Sequence, residues 1–265
     1  MVGVIRRKWI TMNIPLIKSF PEGDIKNFLR SLYFSFKLRN FARVRYGKRV
    51  FYYYLKRDKR VLKSHFSLAT AIKVIEEGYL RYYSPKKGDV VLDAGAYPGD
   101  LALYLSSLVG SSGKIISLEP DLENYNKMVK NLELNKIKNV ILLNKGLWKK
   151  DDLLTLSSKD YGSSFKEGGK DKVEVVSIDS LMEKQKLKKI DFIKMDIEGA
   201  EIEAIIGAKN TLDKYSPKIA IASYHIRDGE KTALKLERMF SSGKYNCVTS
   251  FPYHLTTYVQ KGEIL

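Results

Sequence analysis

VVLDAGAYPGD, residues 90–100, reads as a buried strand that runs directly into a glycine loop and then into the start of a helix. Val90, Val91 and Leu92 form a short apolar run, while Gly95 and Gly99 let the backbone turn and come close to a ligand. A helix that opens at the carboxyl edge of a strand presents free N–H groups there. Downstream the pattern repeats. Strands are expected at Lys114–Leu118, Val140–Leu143, Asp191–Met195 and Lys218–Ala222, and helices near 101–109, 122–134, 200–213 and 229–241. Such alternation implies an α/β domain with a mostly parallel sheet and helices on both faces. The last two runs, Tyr245–Thr249 and His254–Gln260, are separated only by a tight loop around Phe251-Pro252. That is too short for a parallel crossover, so the sheet should end in an antiparallel hairpin. Between Leu147 and Val173 a polar insertion with Gly162, Gly168 and Gly169 reads as a flexible edge flap over the site.

Composition sets the outer limits. The 265 residues include 47 Lys and Arg against 30 Asp and Glu, a formal charge of +17, with 44% hydrophobic residues. No stretch approaches the ~18 uninterrupted apolar residues of a membrane-spanning helix. The single cysteine, Cys247, excludes an intrachain disulfide framework and a multi-thiolate zinc site, and suits a reducing compartment. The opening stretch MVGVIRRKWITMNIPLIKSF has no clear small-residue cleavage site, so it is read as retained and the chain as cytoplasmic.

The charge is concentrated in the first third, where residues 1–88 hold 21 basic and 5 acidic side chains. Residues 1–66 are expected to form a basic N-terminal extension and residues 67–265 the main domain. Within the extension, Asp24 reads as the N-cap of a helix whose face of Ile25, Phe28, Leu29, Leu32 and Phe36 should pack on the main domain. A hairpin should follow from Val50–Leu55 and Arg60–Phe66. Arg39, Arg43, Arg45, Lys48, Arg49, Arg57, Lys59 and Arg60, interleaved with Tyr46, Tyr52 and Tyr54, could hold a nucleic acid, an anionic membrane surface or an acidic glycan, or form a solvated face. The oligomeric state is not legible.

A second feature strengthens the loop at residues 93–100. Glu119, in Glu119-Pro120-Asp121, lies 26 positions after Asp93 at the end of the next strand, where a carboxylate can accept both hydroxyl protons of a ribose. The loop lacks the Gly-x-Gly-x-x-Gly spacing of a pyrophosphate site and is preceded by an acid, which repels phosphate but tolerates a cation. S-adenosylmethionine, with its diol, sulfonium and ammonium, satisfies these requirements.

DAGAYPGD, SLEPDLENYNKMVKNLELN, VEVVSIDSL and above all DFIKMDIEGAE resemble the FkbM-type S-adenosylmethionine-dependent methyltransferases over roughly residues 67–250. The resemblance implies a Rossmann-like class I methyltransferase, with a seven-stranded sheet whose last strand is antiparallel, and methyl transfer commonly to hydroxyl oxygens. It further implies that Asp93, Gly95 and Gly99 border the methionine moiety, that Glu119 binds the ribose, and that Asn144, Lys145 and Gly146 lie near the adenine. Ala96, Tyr97, Asp100, Pro120 and Asp196 are counted with the same cofactor site. Pro98 departs from the apolar or small residue usual at its position.

Methyl transfer requires alignment of nucleophile, methyl and sulfur, and often removal of a proton. Asp196 ends the fourth strand and His225 follows the fifth, so both should reach one rim, with His225 as general base. Lys194 shares a strand face with Asp196 and, if buried, needs a carboxylate partner. These three are the candidate catalytic residues. Glu198 and Glu201 fall in the first turn of the next helix, where acids are favoured by the helix dipole alone. An Asp196, Glu198 and His225 set could also hold Mg²⁺ or another divalent ion, but no metal is assigned. His65 and His254 read as structural or exposed.

Other chemistries are disfavoured. No Asn-Pro-Pro-Tyr-like tetrapeptide follows the fourth strand, Cys247 sits in a late strand, and Ser223-Tyr224-His225 stands where a ribose methyltransferase of the Lys-Asp-Lys-Glu type would need a lysine. The leading expectation is O-methylation of a small molecule, glycan or lipid head group. The alternatives are methylation of RNA or protein, or a non-catalytic binding protein on the same fold.

Overall fold

The computed structural model describes residues 17, 19–38, 42–56, 59–65, 67–157, 164–165, 171–241, 244–251 and 253–264. The chain divides into two compact units, Met1–Lys73 and Val74–Leu265. The division falls where helix α2 (Ala69–Lys73) gives way to a π-helical run, Val74–Tyr79.

In the first unit, helix α1 (Asp24–Lys37) precedes a three-stranded antiparallel sheet of β1 (Ala42–Gly47), β2 (Val50–Leu55) and β3 (Val61–Ser64). The hairpin is as expected, but β1 was not. Its alternation of Ala42, Val44 and Tyr46 inward with Arg43 and Arg45 outward was hidden among basic residues. One further expectation is corrected. Gly23, not Asp24, occupies the N-cap, and the Asp24 carboxylate instead accepts a hydrogen bond from the Tyr46 phenol at 2.7 Å. The stripe of Ile25, Phe28, Leu32 and Phe36 stays 50–69% exposed. The helix meets β1 through its polar side: Asn27 donates to Tyr46 and the Val44 N–H donates to Ser35. An amphipathic period shows that one face is apolar but not which face finds a partner.

The outward face of this sheet sets Arg43 opposite Tyr54, and Tyr52 between Arg45 and Lys63. Arg39 and Arg57 lie outside the described residues.

The second unit is built on a seven-stranded sheet. Its strands are β4 (Val90–Ala94), β5 (Lys114–Leu118), β6 (Val140–Leu143), β11 (Phe192–Met195), β12 (Lys218–Ala222), β15 (Tyr245–Ser250) and β16 (Thr256–Lys261), in the spatial order β15-β16-β12-β11-β4-β5-β6. All neighbours pair in parallel except those of β16, which is antiparallel to both β12 and β15. The expected terminal hairpin is therefore present. The strand succession reverses at β4, which lies between β5 and β11, and this is where open α/β sheets bind ligands. Leu92, Ala94, Ile116, Ile193, Met195 and Ile221 bury the middle of the sheet almost completely.

Helices α3 (Asp100–Val109) and α4 (Leu122–Leu134) follow β4 and β5. The insertion expected as a flexible flap contains a second sheet of β7 (Gly146–Leu147), β8 (Asp152–Ser157), β9 (Ser164–Phe165) and β10 (Asp171–Val176), followed by α5 (Ile178–Lys184). Val173 and Val175 point into the core, a period-two pattern that the surrounding glycines and lysines obscured. Gly162, Gly168 and Gly169 lie outside the described residues. The helix expected at 200–213 is two, α6 (Glu201–Ile206) and α7 (Lys209–Tyr215), because Gly207 packs on the Trp148 carbonyl, where a Cβ would come within 2.5 Å. The helix expected from 229 begins later, as α8 (Thr232–Ser241), since β13 (Ile226–Arg227) and β14 (Glu230–Lys231) form a short ribbon before it. No helix among the described residues is long and apolar enough to cross a membrane.

Gly95 is the tightest point of the first loop. Its φ is +68°, and a Cβ there would lie 1.8 Å from the backbone oxygen of Asp196. Gly229 also has positive φ, at +83°, but nothing lies within 4 Å. Gly95→Ala is expected to destabilise the chain by roughly 2–4 kcal/mol and Gly229→Ala by no more than about 1 kcal/mol. Urea denaturation of the two variants checks this, and equal losses would contradict it.

Candidate active site

The site begins with a buried ion pair. Asp93 on β4 and Lys194 on β11 are register partners, and the Lys194 Nζ lies 3.3 Å from Asp93 Oδ1, with both side chains almost fully buried. The same ammonium donates to the carbonyls of Ala94 (3.2 Å) and Gly95 (2.7 Å), and stands 5.4 Å from the centre of the Tyr79 ring. Burial alone would strip Lys194 of its proton, but Asp93, Asp196 and Asp100 hold its pKa above the ordinary lysine value. Desolvation pushes Asp93 up, and Lys194 opposes that shift. The carboxylate partner that a buried lysine requires is thus Asp93, which the sequence reading had placed beside the cofactor. The pair lies beneath the loop and sets its backbone.

Above the pair, the loop Gly95-Ala96-Tyr97-Pro98-Gly99 leads into α3, with Gly99 in the left-handed conformation at the N-cap and Asp100 in the first turn. The Tyr97–Pro98 peptide is cis. Glu119, at the end of β5, accepts the N–H of Tyr97 (3.2 Å) and that of Asp121 (3.1 Å), one on each oxygen. A carboxylate has about four acceptor positions, so each oxygen keeps one for a ligand. Burial raises Glu119 to about 7. Asp100 is shifted upward by desolvation as well.

The residues placed near the adenine have distinct settings. The Asn144 amide donates to the carbonyls of Glu119 and Pro120, Lys145 pairs with Glu174, and Gly146 begins β7. Asn144 therefore ties the end of β6 to the turn that carries Glu119.

At the ends of β11 and β12 a second cluster forms. Asp196 accepts the Tyr79 phenol on Oδ2 and the Tyr224 phenol on Oδ1, each at 3.1 Å. His225 Nε2 lies 3.5 Å from Asp196 Oδ1 and 3.4 Å from Glu198 Oε2, while Nδ1 lies 2.9 Å from Glu201 Oε1. Asp196 and His225 are brought together, as the topology suggested. Burial alone would lower the pKa of His225, but its contacts with Glu198 and Glu201, and the charge of Glu201 and Asp196, raise it to about 10. Its two nitrogens are thereby set among three carboxylates, Nε2 facing Asp196 and Glu198 and Nδ1 facing Glu201.

Three residues of this cluster escaped or were misjudged in the sequence. Tyr79 and Tyr224 carry no motif that separates them from the other 15 tyrosines. Glu201 looked like an ordinary helix-start acid, yet it is fully buried and also accepts the N–H groups of Ile197 and Gly199. Glu198 takes φ +55°, and Gly199 beside it is held through its carbonyl by Arg227. His65 faces the Arg49 carbonyl, whereas His254 faces the Thr256 hydroxyl and packs its ring against those of Tyr79 and Tyr224.

A parallel sheet with one antiparallel strand next to the last, a glycine loop after its first strand and an acid ending the second are the features of the class I S-adenosylmethionine-dependent methyltransferase fold. The family model described as the Methyltransferase FkbM domain matches residues 93–252, more than half of the chain, and the chain belongs to that family. Among curated proteins it is similar to tRNA (cytosine(72)-C(5))-methyltransferase of Pyrococcus horikoshii, at 29% identity over 31% of this chain and 24% of that protein. It is also similar to the probable cobalt-precorrin-6B C(15)-methyltransferase (decarboxylating) of Saccharolobus solfataricus, at 32% identity over 35% of this chain and 46% of that protein. The chain thus spans less than half the length of either relative. A crystal structure of methyltransferase FkbM from Methylobacillus flagellatus KT aligns with TM-score 0.49 and 18% identity, covering 89% of this chain and 60% of that one. Aeropyrum pernix fibrillarin aligns with TM-score 0.47 and 13% identity, over 82% and 97% of the two chains.

Because Asp93 has no hydrogen bond on either oxygen and depends on Lys194 for compensation, Lys194→Met should lower stability by about 3–5 kcal/mol. Adding Asp93→Asn should recover much of that loss. A double-mutant cycle in urea measures the coupling, and strictly additive losses would contradict the pairing.

Proposed function

We propose that this methyltransferase modifies a hydroxyl oxygen of a small molecule, glycan or lipid head group. The observation that supports this reading most is the rim of Asp196, Glu198 and His225, which offers carboxylate acceptors to a hydroxyl donor beside the cofactor loop. The residues fit the cofactor: Glu119 keeps one acceptor position on each oxygen for a diol, and Gly95 and Gly99 allow close backbone approach. Asp93, Ala96, Tyr97, Asp100 and Pro120 frame the same region, with Asn144, Lys145 and Gly146 on the adenine side. When bound, S-adenosylmethionine supplies an electrophilic methyl group on a sulfonium.

The chain's own residues do the rest. Asp196, oriented by two phenols, is the group toward which the hydroxyl proton moves, and the His225 ring lies beside it and Glu198 as the candidate base. Lys194 is a positioning residue, since it grips the loop carbonyls. A second reading, methylation of RNA, draws on the exposed sheet face where Arg43, Arg45 and Lys63 alternate with Tyr52 and Tyr54, a pattern suited to phosphates and stacked bases.

Two measurements test this reading. Labelled methyl transfer into fractionated lipid, glycan, small-molecule and RNA pools should mark one of the first three, and Asp196→Asn should lower the rate at least about a hundredfold while S-adenosylhomocysteine still binds. Label confined to RNA would favour the second reading. Calorimetry of S-adenosylhomocysteine binding tests Glu119. With a ligand-free pKa of about 7, Glu119 gains a proton as pH falls, and a protonated carboxyl cannot accept both diol protons. Affinity should therefore fall about tenfold from pH 8 to pH 6. Glu119→Gln should bind weakly without that dependence, and an unchanged pH profile in this variant would remove Glu119 from the ribose.

A further inference from the structure

The cluster at the ends of β11 and β12 has the construction of a metal site. Ligand atoms of Asp196, Glu198 and His225 all lie within 4.8 Å of one another, and His225 Nε2 is 3.5 Å and 3.4 Å from the two carboxylates. Bonds of about 2.1 Å to one cation would bring neighbouring donor atoms to roughly 3.0–3.5 Å. The His225 side chain is only 9% exposed, and neither ring nitrogen makes a hydrogen bond of good geometry, although Nε2 points at two carboxylates. Between those two acids the Nε2 of a neutral imidazole presents a lone pair to a cation, which takes the place of the ring's proton.

The opposite side of the ring supplies a second observation. Nδ1 lies 2.9 Å from Glu201 Oε1, and Glu201 is itself fully buried and fixed by the N–H groups of Ile197 and Gly199. A carboxylate behind a histidine, with the other nitrogen facing outward between two acids, is the arrangement that orients an imidazole toward a metal. The two phenols, one on each oxygen, fix the orientation of the Asp196 carboxylate beside His225.

We infer that Asp196, Glu198 and His225 bind a divalent cation of the Mn²⁺ or Mg²⁺ type, with Glu201 holding His225 in place. Two carboxylates and one imidazole suit a hard to intermediate divalent ion, and no thiolate is present to favour a soft one. The inference rests on the reading that the acceptor hydroxyl docks at this rim, where a cation would orient the oxygen and lower its pKa. Coordination leaves the methyl-transfer balance unchanged: the hydroxyl loses its proton and gains the methyl that leaves sulfur.

The test uses the full chain, stripped with a chelator and titrated with Mn²⁺ alone, with free Mn²⁺ followed by electron paramagnetic resonance. One site is expected. Glu198→Gln and Glu201→Gln should each weaken it at least about tenfold, while Asp213→Asn, on α7, should not change it. S-adenosylhomocysteine binding by each variant, measured in parallel, shows that the fold is intact. Absence of a Mn²⁺ site, or equal affinity in Glu198→Gln, would overturn the inference. Full methyl transfer in excess chelator would also overturn it while leaving O-methylation standing. Transfer confined to another acceptor class, with the Mn²⁺ site present, would instead overturn the reading of the acceptor.

Discussion

A lysine ammonium buried between two parallel strands holds this site together. Lys194 faces Asp93 across the β4–β11 ladder and reaches the carbonyls of Ala94 and Gly95, so the first loop cannot shift without breaking hydrogen bonds to a buried ammonium. Gly95 completes the junction, because only a residue without a Cβ can lie against the Asp196 carbonyl. In the proposed reading, the two strand ends that meet there carry the two halves of the chemistry: the β4 loop leads toward Glu119 on the cofactor side, and the β11 end leads to Asp196, Glu198 and the histidine.

The electrostatics of the halves differ in a way that suits their work. On the cofactor side desolvation dominates, and Glu119 is raised to about 7 although two backbone N–H groups and, more weakly, the Lys194 charge stabilise its anion. Such a carboxylate gains from any ligand that donates hydrogen bonds to it. On the rim side the acids outnumber the single imidazole, and phenols are spent on orienting Asp196. A rim with surplus negative charge favours positively polarised partners: a hydroxyl proton, a sulfonium or a metal ion.

The parts of this architecture written in local pattern were legible in the sequence. The glycine loop after β4, the acid ending β5 and the terminal hairpin each depend on a few adjacent residues and on chain distances too short for another topology. The need of Lys194 for a carboxylate was also legible, because burial of a lysine demands one. Its partner was not, since Asp93 reaches it through a strand register linking positions about a hundred residues apart. Glu201 was obscured for a different reason: helix dipoles favour acids in the first turn whatever their role. Tyr79 acts through one phenol at the end of a π-helical run, which no periodicity marks. In the first unit, the apolar stripe of α1 was visible but its surroundings were not, and the basic residues of β1 concealed a strand.

The central claim is that cofactor and acceptor meet where β4 and β11 end. A crystal structure with S-adenosylhomocysteine tests it most directly. The expected result is a ribose whose two hydroxyls both donate to Glu119, with the thioether sulfur turned toward Asp196 and His225. A ribose that makes no contact with Glu119, or a sulfur facing away from Asp196 and His225, would contradict the account.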